Sequence, residues 1–171
     1  NKYSNNTMAR TLFLTLGREA GGEDTAAAAE RALRGQLAQK GIADAGALAL
    51  ENGSGLSRRE RVSARLMGEV LLDAARGPYA GEFLASLPIA GEDGTLKKRF
   101  AGLGPRLRLK TGTLRDVRAV AGYWLAADGH RLAIVAIVNS PRAPEMAKAL
   151  DAVVADVVGA FDAAARSSAN R

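Results

Sequence analysis

Apolar residues recur at helical spacing through the first half of the chain, which predicts helices there. Met8, Leu12 and Leu16 are four residues apart, as on one face of a helix. Ser4 or Asn5 could cap this helix, and Gly17 lies just past its predicted end. The alanines at 26–29 favour a second helix but are expected to add little to the core. The predicted helices span residues 4–16, 23–40 and 63–76.

In the second half, apolar residues alternate with polar ones or run together, which predicts β-strands. Residues 131–138 are almost wholly apolar, as expected for a strand that is buried on both faces. Asp128-Gly129, just before this run, is typical of a hairpin turn. The predicted strands span residues 107–111, 117–127 and 131–138, and a shorter one spans 47–50.

The order of the predicted elements indicates an α+β fold with an antiparallel sheet, because helices come first, then a meander of strands, then one helix. That last helix spans residues 143–164 and is strongly apolar, so we expect it to cover one face of the sheet. Residues 80–106 are rich in glycine and proline and are predicted to be mostly loop.

Composition places the chain among ordinary globular proteins, with 47% apolar and 25% charged residues in a length of 171. No apolar run approaches the roughly 20 residues that a membrane-spanning helix requires. The chain has no cysteine, which excludes disulfides, thiol catalysis and the common zinc sites. The net charge of +6 favours anionic partners such as nucleic acid, anionic lipid or an acidic polymer.

The segment Lys110-Thr111-Gly112-Thr113, at the end of a predicted strand, has the clearest chemistry. Lys110 offers a positive charge, and Thr111 or Thr113 a hydroxyl, to a substrate carboxylate. Gly112 removes a side chain where a substrate must approach the backbone. The amide of Thr113 could donate into an oxyanion hole, and an extended substrate could pair with the strand edge. The alternative is a solvated lysine and a threonine that precede a turn.

A second pattern, Ser-x-Asn, occurs as Ser4-Asn5-Asn6 and has two interpretations. Serine and asparagine are the usual helix N-caps, so capping alone explains the pattern. In the catalytic interpretation, Ser4 relays a proton to the leaving group and Asn6 donates its amide to the peptide carbonyl of the substrate. Without further support, the capping interpretation is favoured.

Other candidate sites are weaker. His130 follows the hairpin turn and is expected to be exposed, and a single histidine without cysteine predicts neither a zinc site nor a Ser-His-Asp triad. Gly53-Ser54-Gly55 lacks the Gly-Lys-Ser of a phosphate-binding loop and is interpreted as a turn. A basic cluster is interpreted as a solvated face, because stacking aromatics are scarce there. Its members are Lys97, Lys98, Arg99, Arg106, Arg108 and Lys110.

Longer segments carry a resemblance to a known family. In chain order they are residues 1–9, 52–58, 87–96, 109–114 and 121–123. Together they resemble the carboxyl-terminal half of the class C, low-molecular-mass penicillin-binding proteins, which are D-alanyl-D-alanine carboxypeptidases/endopeptidases. The resemblance extends to about residue 140, and several ordered motifs are more specific than one.

The resemblance implies a transpeptidase/β-lactamase-like fold with its active site at one sheet edge, and no metal or organic cofactor. It implies catalytic roles for Ser4, Asn6 and Lys110 and substrate binding by Thr111, Gly112 and Thr113. The implied reaction is acyl transfer: an upstream serine attacks the D-Ala–D-Ala bond, D-Ala leaves, and water releases the acyl-enzyme. The implied partners are peptidoglycan stem peptides, with β-lactams as inhibitors, in the periplasm or another exported location. No nucleic acid is expected, and peripheral contact with a membrane remains compatible with the charge.

The sequence departs from the family pattern in two respects. The Ser-x-x-Lys motif with the nucleophile is absent from the 171 residues, as are the domains usually inserted before Ser-x-Asn. We therefore expect residues 1–165 to be the carboxyl-terminal part of a peptidase domain, inactive alone, followed by a polar tail at 166–171. Missing first strands would leave a sheet edge open to self-association, and the sequence does not define the oligomeric state.

Two other functions stay open at this point. The chain could be a non-catalytic module that holds a peptidoglycan peptide; a Ser-x-x-Lys upstream of Asn1 would favour the enzyme instead. It could also be a basic nucleic-acid-binding domain, which rests only on charge and on residues 97–110. Steeply salt-dependent binding to DNA would support that function.

Overall fold

A computed structural model describes residues 1–42 and 46–169. The chain divides into two compact units, one formed by Asn1–Ser4 with Ala74–Arg171 and the other by Asn5–Asp73. The elements form an α+β fold, as predicted. The helices are α1 (Asn6–Ala20), α2 (Thr25–Gln39), α3 (Ala64–Arg76), α4 (Ala80–Ser86) and α5 (Ala147–Ala169), and the strands are β1 (Leu107–Leu114), β2 (Val117–Leu125) and β3 (Arg131–Asn139).

In the unit of residues 5–73, α1 packs closely on α2 and extends beyond its predicted end at residue 16. Gly17 does not end α1 but lies buried inside it, where an added Cβ would be 1.9 Å from the carbonyl oxygen of Thr25. The missing side chain thus permits the contact between the two helices, and α1 ends only at Gly21, which has a φ of +75°. Ala28 and Ala29 are fully buried at 1% and 0% exposure, so the prediction that these alanines add little to the core was wrong.

The predicted apolar stripe of α1 was also wrong. Met8 and Leu12 are 63% and 71% exposed, whereas Phe13 is buried. Four-residue spacing defines a helix face but not which face packs, and Gly17 and Phe13 show the face that does. The strand predicted at residues 47–50 is reduced to a single bridge between Ala49 and Arg61.

Side-chain caps begin the other two helices of this unit. Asp24 caps α2 by accepting the amides of Ala26 and Ala27, each at 3.0 Å. Ser63 caps α3 by accepting the amide of Leu66 at 3.0 Å. Leu66 is buried with Ile42 and Leu48 in a small apolar cluster.

The second unit is built on an antiparallel sheet in the order β1-β2-β3. Strand β2 is central and pairs with both neighbours, as Gly122 does with Leu109 and Ile134. The hairpin between β2 and β3 turns at Gly129, which has a φ of +88°, as the Asp128-Gly129 pattern predicts. Helix α5 packs its apolar side on one face of the sheet, also as predicted. The shared core includes Leu107, Leu109, Val120, Trp124, Ile134, Leu150, Val154 and Val158.

Several predicted boundaries in this unit change. Residues 80–106 are not all loop, since α4 forms there and 3₁₀ turns occur at Gly94–Leu96 and Gly104–Arg106. The helix predicted from 143 begins at Ala147 and extends to Ala169, which takes in the first residues of the predicted tail; residues 170 and 171 lie outside the described residues. Strand β3 was wrongly predicted to be buried on both faces: Ile134 is its one buried residue, and Ile137 is 38% exposed.

An ion pair ties α5 to the sheet and supports a testable prediction. The carboxylate of Asp162 accepts hydrogen bonds from the Arg106 guanidinium at 2.8 and 2.9 Å and from the Trp124 indole at 2.8 Å. The Arg106 guanidinium also lies 4.1 Å from the centre of the Trp124 ring. We expect Asp162→Ala to destabilise the fold by about 1–3 kcal/mol, because it leaves these donors without an acceptor. Unfolding followed by the fluorescence of Trp124, the one tryptophan in the sequence, measures the loss.

The carboxyl of Asp162 should also make the stability of the fold depend on pH in the acid range. Hydrogen bonds, first from Trp124 and then from Arg106, lower the pKa of Asp162 below its ordinary 3.8. The folded state therefore binds this proton less readily than the unfolded chain, so the contribution is complete above pH 3.8 and is lost as pH falls further. Asp162→Asn should flatten that part of the stability profile. An unchanged acid limb would remove Asp162 as its cause.

Candidate active site

Strand β1 extends through the whole Lys-Thr-Gly segment and brings Lys110 to Ser4. Lys110 Nζ donates a hydrogen bond to Ser4 Oγ at 2.8 Å and another to the carbonyl oxygen of Thr111. No carboxylate pairs with Lys110 in the part of the chain that the structure describes. Partial burial lowers the pKa of Lys110, because desolvation disfavours the charged ammonium. The site therefore holds a half-buried cation whose partners among the described residues are a hydroxyl and a carbonyl.

The backbone of Ser4 adopts an uncommon conformation. Its φ is +53°, in the left-handed region, and among the described non-glycine residues only Phe100 shares a positive φ. The Ser4 amide donates to the carbonyl oxygen of Asn1 at 3.1 Å, which closes a tight turn. Such strain persists only where the surroundings maintain it, and it is concentrated at functional sites.

The two interpretations of Ser4-Asn5-Asn6 can now be separated by residue. Asn5 is the N-cap of α1, and its side chain accepts the amide of Met8 at 2.9 Å. Capping is thus assigned to the middle residue and does not require Ser4 or Asn6. The catalytic interpretation, which uses the outer two, remains compatible with the local structure.

Asn6 belongs to the unit of residues 5–73 and is held there by the Gly-rich turn. Its side-chain amide donates to the carbonyl oxygen of Ser54 at 2.6 Å. That turn is fixed in place by Glu60, whose Oε1 accepts the amide of Gly53 at 3.1 Å and two neighbouring amides at longer distances. At Gly53 an added Cβ would be 2.4 Å from the Cβ of Phe13, which explains the glycine.

Among the described residues, backbone hydrogen bonds cover the outer edge of β1 only as far as residue 109. The segment before β1 covers its first part, since Ala90 and Leu109 donate their amides to Leu107 and Pro88 at 3.0 and 3.1 Å. Backbone groups of an antiparallel strand point alternately to the two sides, so those of Thr111 and Thr113 also point away from β2. These groups can pair with an extended peptide in the way that a further strand would.

Gly112 lies opposite Ala119 in the sheet. An added Cβ would be 3.3 Å from the Cβ of Ala119, which is tight but not prohibitive. Its backbone has an ordinary φ, so the glycine is not required by conformation. The absence of a side chain beside Lys110 keeps that part of the strand open.

Thr95 is a site residue that sequence reasoning missed. Its hydroxyl accepts a hydrogen bond from the Thr111 hydroxyl at 2.9 Å. It lies in segment 87–96, which carries part of the family resemblance, but nothing in the spacing of residues connects it to β1. Ser54 was missed in the same way, although its Gly-rich turn had been singled out.

The remaining candidates take structural or surface roles. His130 is exposed at the hairpin tip, as predicted, and its imidazole lies 3.0 Å from the Asp128 carboxylate. In the basic cluster, Arg99 and Arg106 form ion pairs with Asp151 and Asp162 of α5, which reduces the charge left for an anionic partner. The described residues include no group of three or more histidine, cysteine or acidic side chains arranged for a metal. No helix among them is both long and apolar enough to cross a membrane.

Solved structures place the fold in the penicillin-binding-protein class. Penicillin-binding protein 4 of Haemophilus influenzae superposes on 81% of this chain and 32% of its own, with a TM-score of 0.70 and 31% identity. A predatory endopeptidase of Bdellovibrio bacteriovorus covers 94% of this chain and 41% of its own, with a TM-score of 0.65. At 20% identity the latter likeness shows the fold alone.

The family follows from the sequence match. Residues 1–157 match the model of the D-Ala-D-Ala carboxypeptidase 3 (S13) family, and the chain belongs to that family. The D-alanyl-D-alanine carboxypeptidase of Actinomadura sp. (strain R39) is 35% identical over 159 residues, 89% of this chain and 29% of the relative. Carboxypeptidase DacB of Mycolicibacterium smegmatis is 34% identical over 161 residues, 89% of this chain and 34% of the relative. The chain thus spans about a third of the length of these relatives.

Proposed function

We propose that this chain supplies the Ser-x-Asn and Lys-Thr-Gly parts of the active site of a serine-type D-Ala-D-Ala carboxypeptidase/endopeptidase. Its substrates would be peptidoglycan stem peptides, its inhibitors β-lactams, and its location the periplasm or another exported compartment. Family membership supports the reaction class. The observation that carries the proposal is the 2.8 Å contact between Lys110 Nζ and Ser4 Oγ, two residues of the same compact unit.

Each residue has a role that its chemistry suits. Lys110 attracts the terminal carboxylate of the stem peptide. The Thr111 hydroxyl, which donates to Thr95 in the structure, would turn its one hydrogen to the carboxylate when the peptide binds. The amide of Thr113 stabilises the oxyanion that forms when the scissile carbonyl is attacked. Gly112 lets the peptide approach the strand. Asn6 donates its remaining amide hydrogen to the peptide carbonyl of the substrate.

The reaction divides into acylation and hydrolysis. A serine outside these 171 residues, activated by its lysine, would attack the carbonyl carbon of the D-Ala–D-Ala bond and form an ester. The proton that this lysine takes from the attacking serine would pass through the Ser4 hydroxyl to the departing amine. The Lys110 ammonium, hydrogen-bonded to Ser4 Oγ, would stabilise the negative charge that develops on that oxygen during the transfer. D-Ala then leaves, and water hydrolyses the ester and restores the serine.

A non-catalytic module that binds peptidoglycan peptides is the second candidate. The binding groups on β1 support it, because a lysine and a threonine can hold a carboxylate without any nucleophile. A nucleophile in the full-length protein distinguishes the two.

Intact-mass spectrometry with benzylpenicillin tests the proposal. We expect the 171-residue chain to remain at 17.8 kDa, because it has no Ser-x-x-Lys, and the full-length protein to gain one penicilloyl group. A full-length protein that binds stem peptide but gains no adduct would be the binding module. An adduct on the 171-residue chain would contradict the assignment of the nucleophile to another part of the protein.

A further inference from the structure

The short segment that carries Ser4 is held by one loop of its own unit. Lys2 Nζ lies 2.5 Å from the Asp93 carboxylate, and the Thr95 amide donates to the Lys2 carbonyl oxygen at 3.3 Å. The side chain of Asn1 donates to Ser86 Oγ at 2.8 Å. Asn1 and Lys2, which precede Ser4, are therefore attached to the stretch 86–95.

Asp93 is the centre of this attachment, because its two oxygens face different partners. Oδ1 accepts the backbone amide of Ile89 at 2.8 Å, and Oδ2 pairs with Lys2. The hydrogen bond from Lys2 is the largest influence that lowers the pKa of Asp93, so the carboxyl is ionised at neutral pH. One side chain thus fixes its own loop and holds the segment of Ser4 against it.

Gly94 makes the approach possible. Its φ is +52°, and an added Cβ would lie 2.3 Å from the Lys2 carbonyl oxygen. The loop can therefore touch the backbone of residues 1–4 only with glycine at this position.

The other side of the same loop is attached to β1. Leu109 donates its amide to Pro88, and Ala90 donates its amide to Leu107. Further along, the Thr111 hydroxyl donates to the Thr95 hydroxyl. The stretch 86–95 therefore contacts both the segment that carries Ser4 and the Lys-Thr-Gly strand, and it fixes the position of one relative to the other.

We propose that Asp93 is a positioning residue, which acts through Lys2 to keep the Ser4 hydroxyl within hydrogen-bond reach of Lys110. This inference rests on the proposed function and adds a residue to it. Ser4 has a strained backbone, so it needs an external restraint to stay in place. Side chains of Asp93 and Lys2 are 33% and 26% exposed, and an ion pair of that kind contributes little to stability. Its loss should therefore affect geometry more than folding.

The test uses the full-length protein and compares Asp93→Asn with Glu92→Gln. Glu92 is the exposed acid next to Asp93, so its substitution removes the same charge from the same turn. We expect Asp93→Asn to slow penicillin acylation about 10–100-fold, because a displacement near 1 Å costs up to that much, while Glu92→Gln stays within about twofold. The effect should fall on the acylation rate constant and not on the dissociation constant of the initial complex.

Two further measurements separate positioning from folding. Lys2→Met removes the same ion pair from its other partner and keeps the hydrogen bond between Asp93 and the Ile89 amide, so it should slow acylation as much as Asp93→Asn does. Hydrogen exchange of the Thr95 amide, measured without any substrate, should accelerate in Asp93→Asn while the melting temperature stays near that of wild type.

The outcomes also separate this inference from the proposed function. Wild-type protein that is never acylated would refute the function, and accelerated exchange at Thr95 would still support the restraint. Wild-type protein that is acylated normally, with Asp93→Asn acylated as fast, would refute the positioning role. A variant whose loss of rate matches an equal loss of folded protein would refute it as well.

Discussion

Lys110→Ala in the full-length protein should slow acylation by a penicillin by about a hundredfold to a thousandfold, the range seen when one preorganised electrostatic contact is removed. The Lys110 ammonium is half-buried and has no carboxylate partner in the described part of the chain, so its charge is available to a substrate carboxylate. The substitution also removes the hydrogen bond to Ser4 Oγ, which affects the proton pathway together with binding.

Lys97→Ala is the matched control, because it removes an exposed lysine from the same basic region. Stopped-flow measurement of acylation under single-turnover conditions gives both the binding and the chemical step. We expect Lys97→Ala to react as wild type does. Near-normal acylation of Lys110→Ala would contradict the proposal that Lys110 binds the carboxylate of the substrate.

The pH profile provides an independent check on the same residue. Burial lowers the pKa of Lys110 below its ordinary 10.5, so the ammonium loses its proton at a lower pH than an exposed lysine would. Binding of a carboxylate requires the protonated form and should weaken as pH rises through that lowered pKa. Lys110→Ala should lack this alkaline limb, which distinguishes Lys110 from other titrating groups.

Gly122→Ala should destabilise the sheet by about 3 kcal/mol or more, because overpacking of a core is relieved only by moving the backbone. An added Cβ would lie 2.1 Å from the carbonyl oxygen of Arg108 and 2.9 Å from the Cα of Leu109. Both atoms belong to the neighbouring strand, so no side-chain rotation relieves the contact. For a chain of this length the loss corresponds to a fall of about 10 °C in melting temperature.

Gly68→Ala is the comparison for that experiment. Gly68 lies in α3, and no atom is within 4 Å of its added Cβ. Alanine is favoured over glycine inside a helix by up to about 1 kcal/mol, so this variant should be slightly more stable than wild type. Thermal unfolding by circular dichroism measures both. Equal melting temperatures for the two variants would show that the strand separation at Gly122 is less tight than the distances imply.

Local sequence patterns predicted the secondary-structure elements well where neighbouring residues determine the backbone conformation. The Asp128-Gly129 turn and the apolar run of β3 depend on neighbours in sequence. Gly17 shows the limit of predictions from local sequence. A glycine that permits close packing of two helices cannot be told in sequence from a glycine that ends a helix. The burial of Ala28 and Ala29 likewise depends on which helix lies against them.

Part of the candidate site was predicted, because some of its residues are neighbours in sequence. Lys110, Thr111 and Gly112 are consecutive on one strand, so the Lys-Thr-Gly pattern identified them. Their contacts with Ser4 and Thr95 cross 106 and 16 residues of sequence, and no periodicity encodes such distances. No local signal identified Asp93 either, since its ion pair with Lys2 joins two residues that are 91 positions apart in sequence.

The meander order of the sheet has a consequence for how this chain can vary. The pairing of Lys110 with Ala121 does not depend on the β2–β3 hairpin, and doubling the length of such a loop adds only about 0.6 kcal/mol of closure entropy. Insertions at that tip should thus leave the lysine in register. A single residue inserted between Leu109 and Lys110 would instead exchange the two faces of the strand. Because side chains alternate between the two faces of β1, such an insertion would move the Lys110 ammonium from the face of Ser4 to the face that packs in the core.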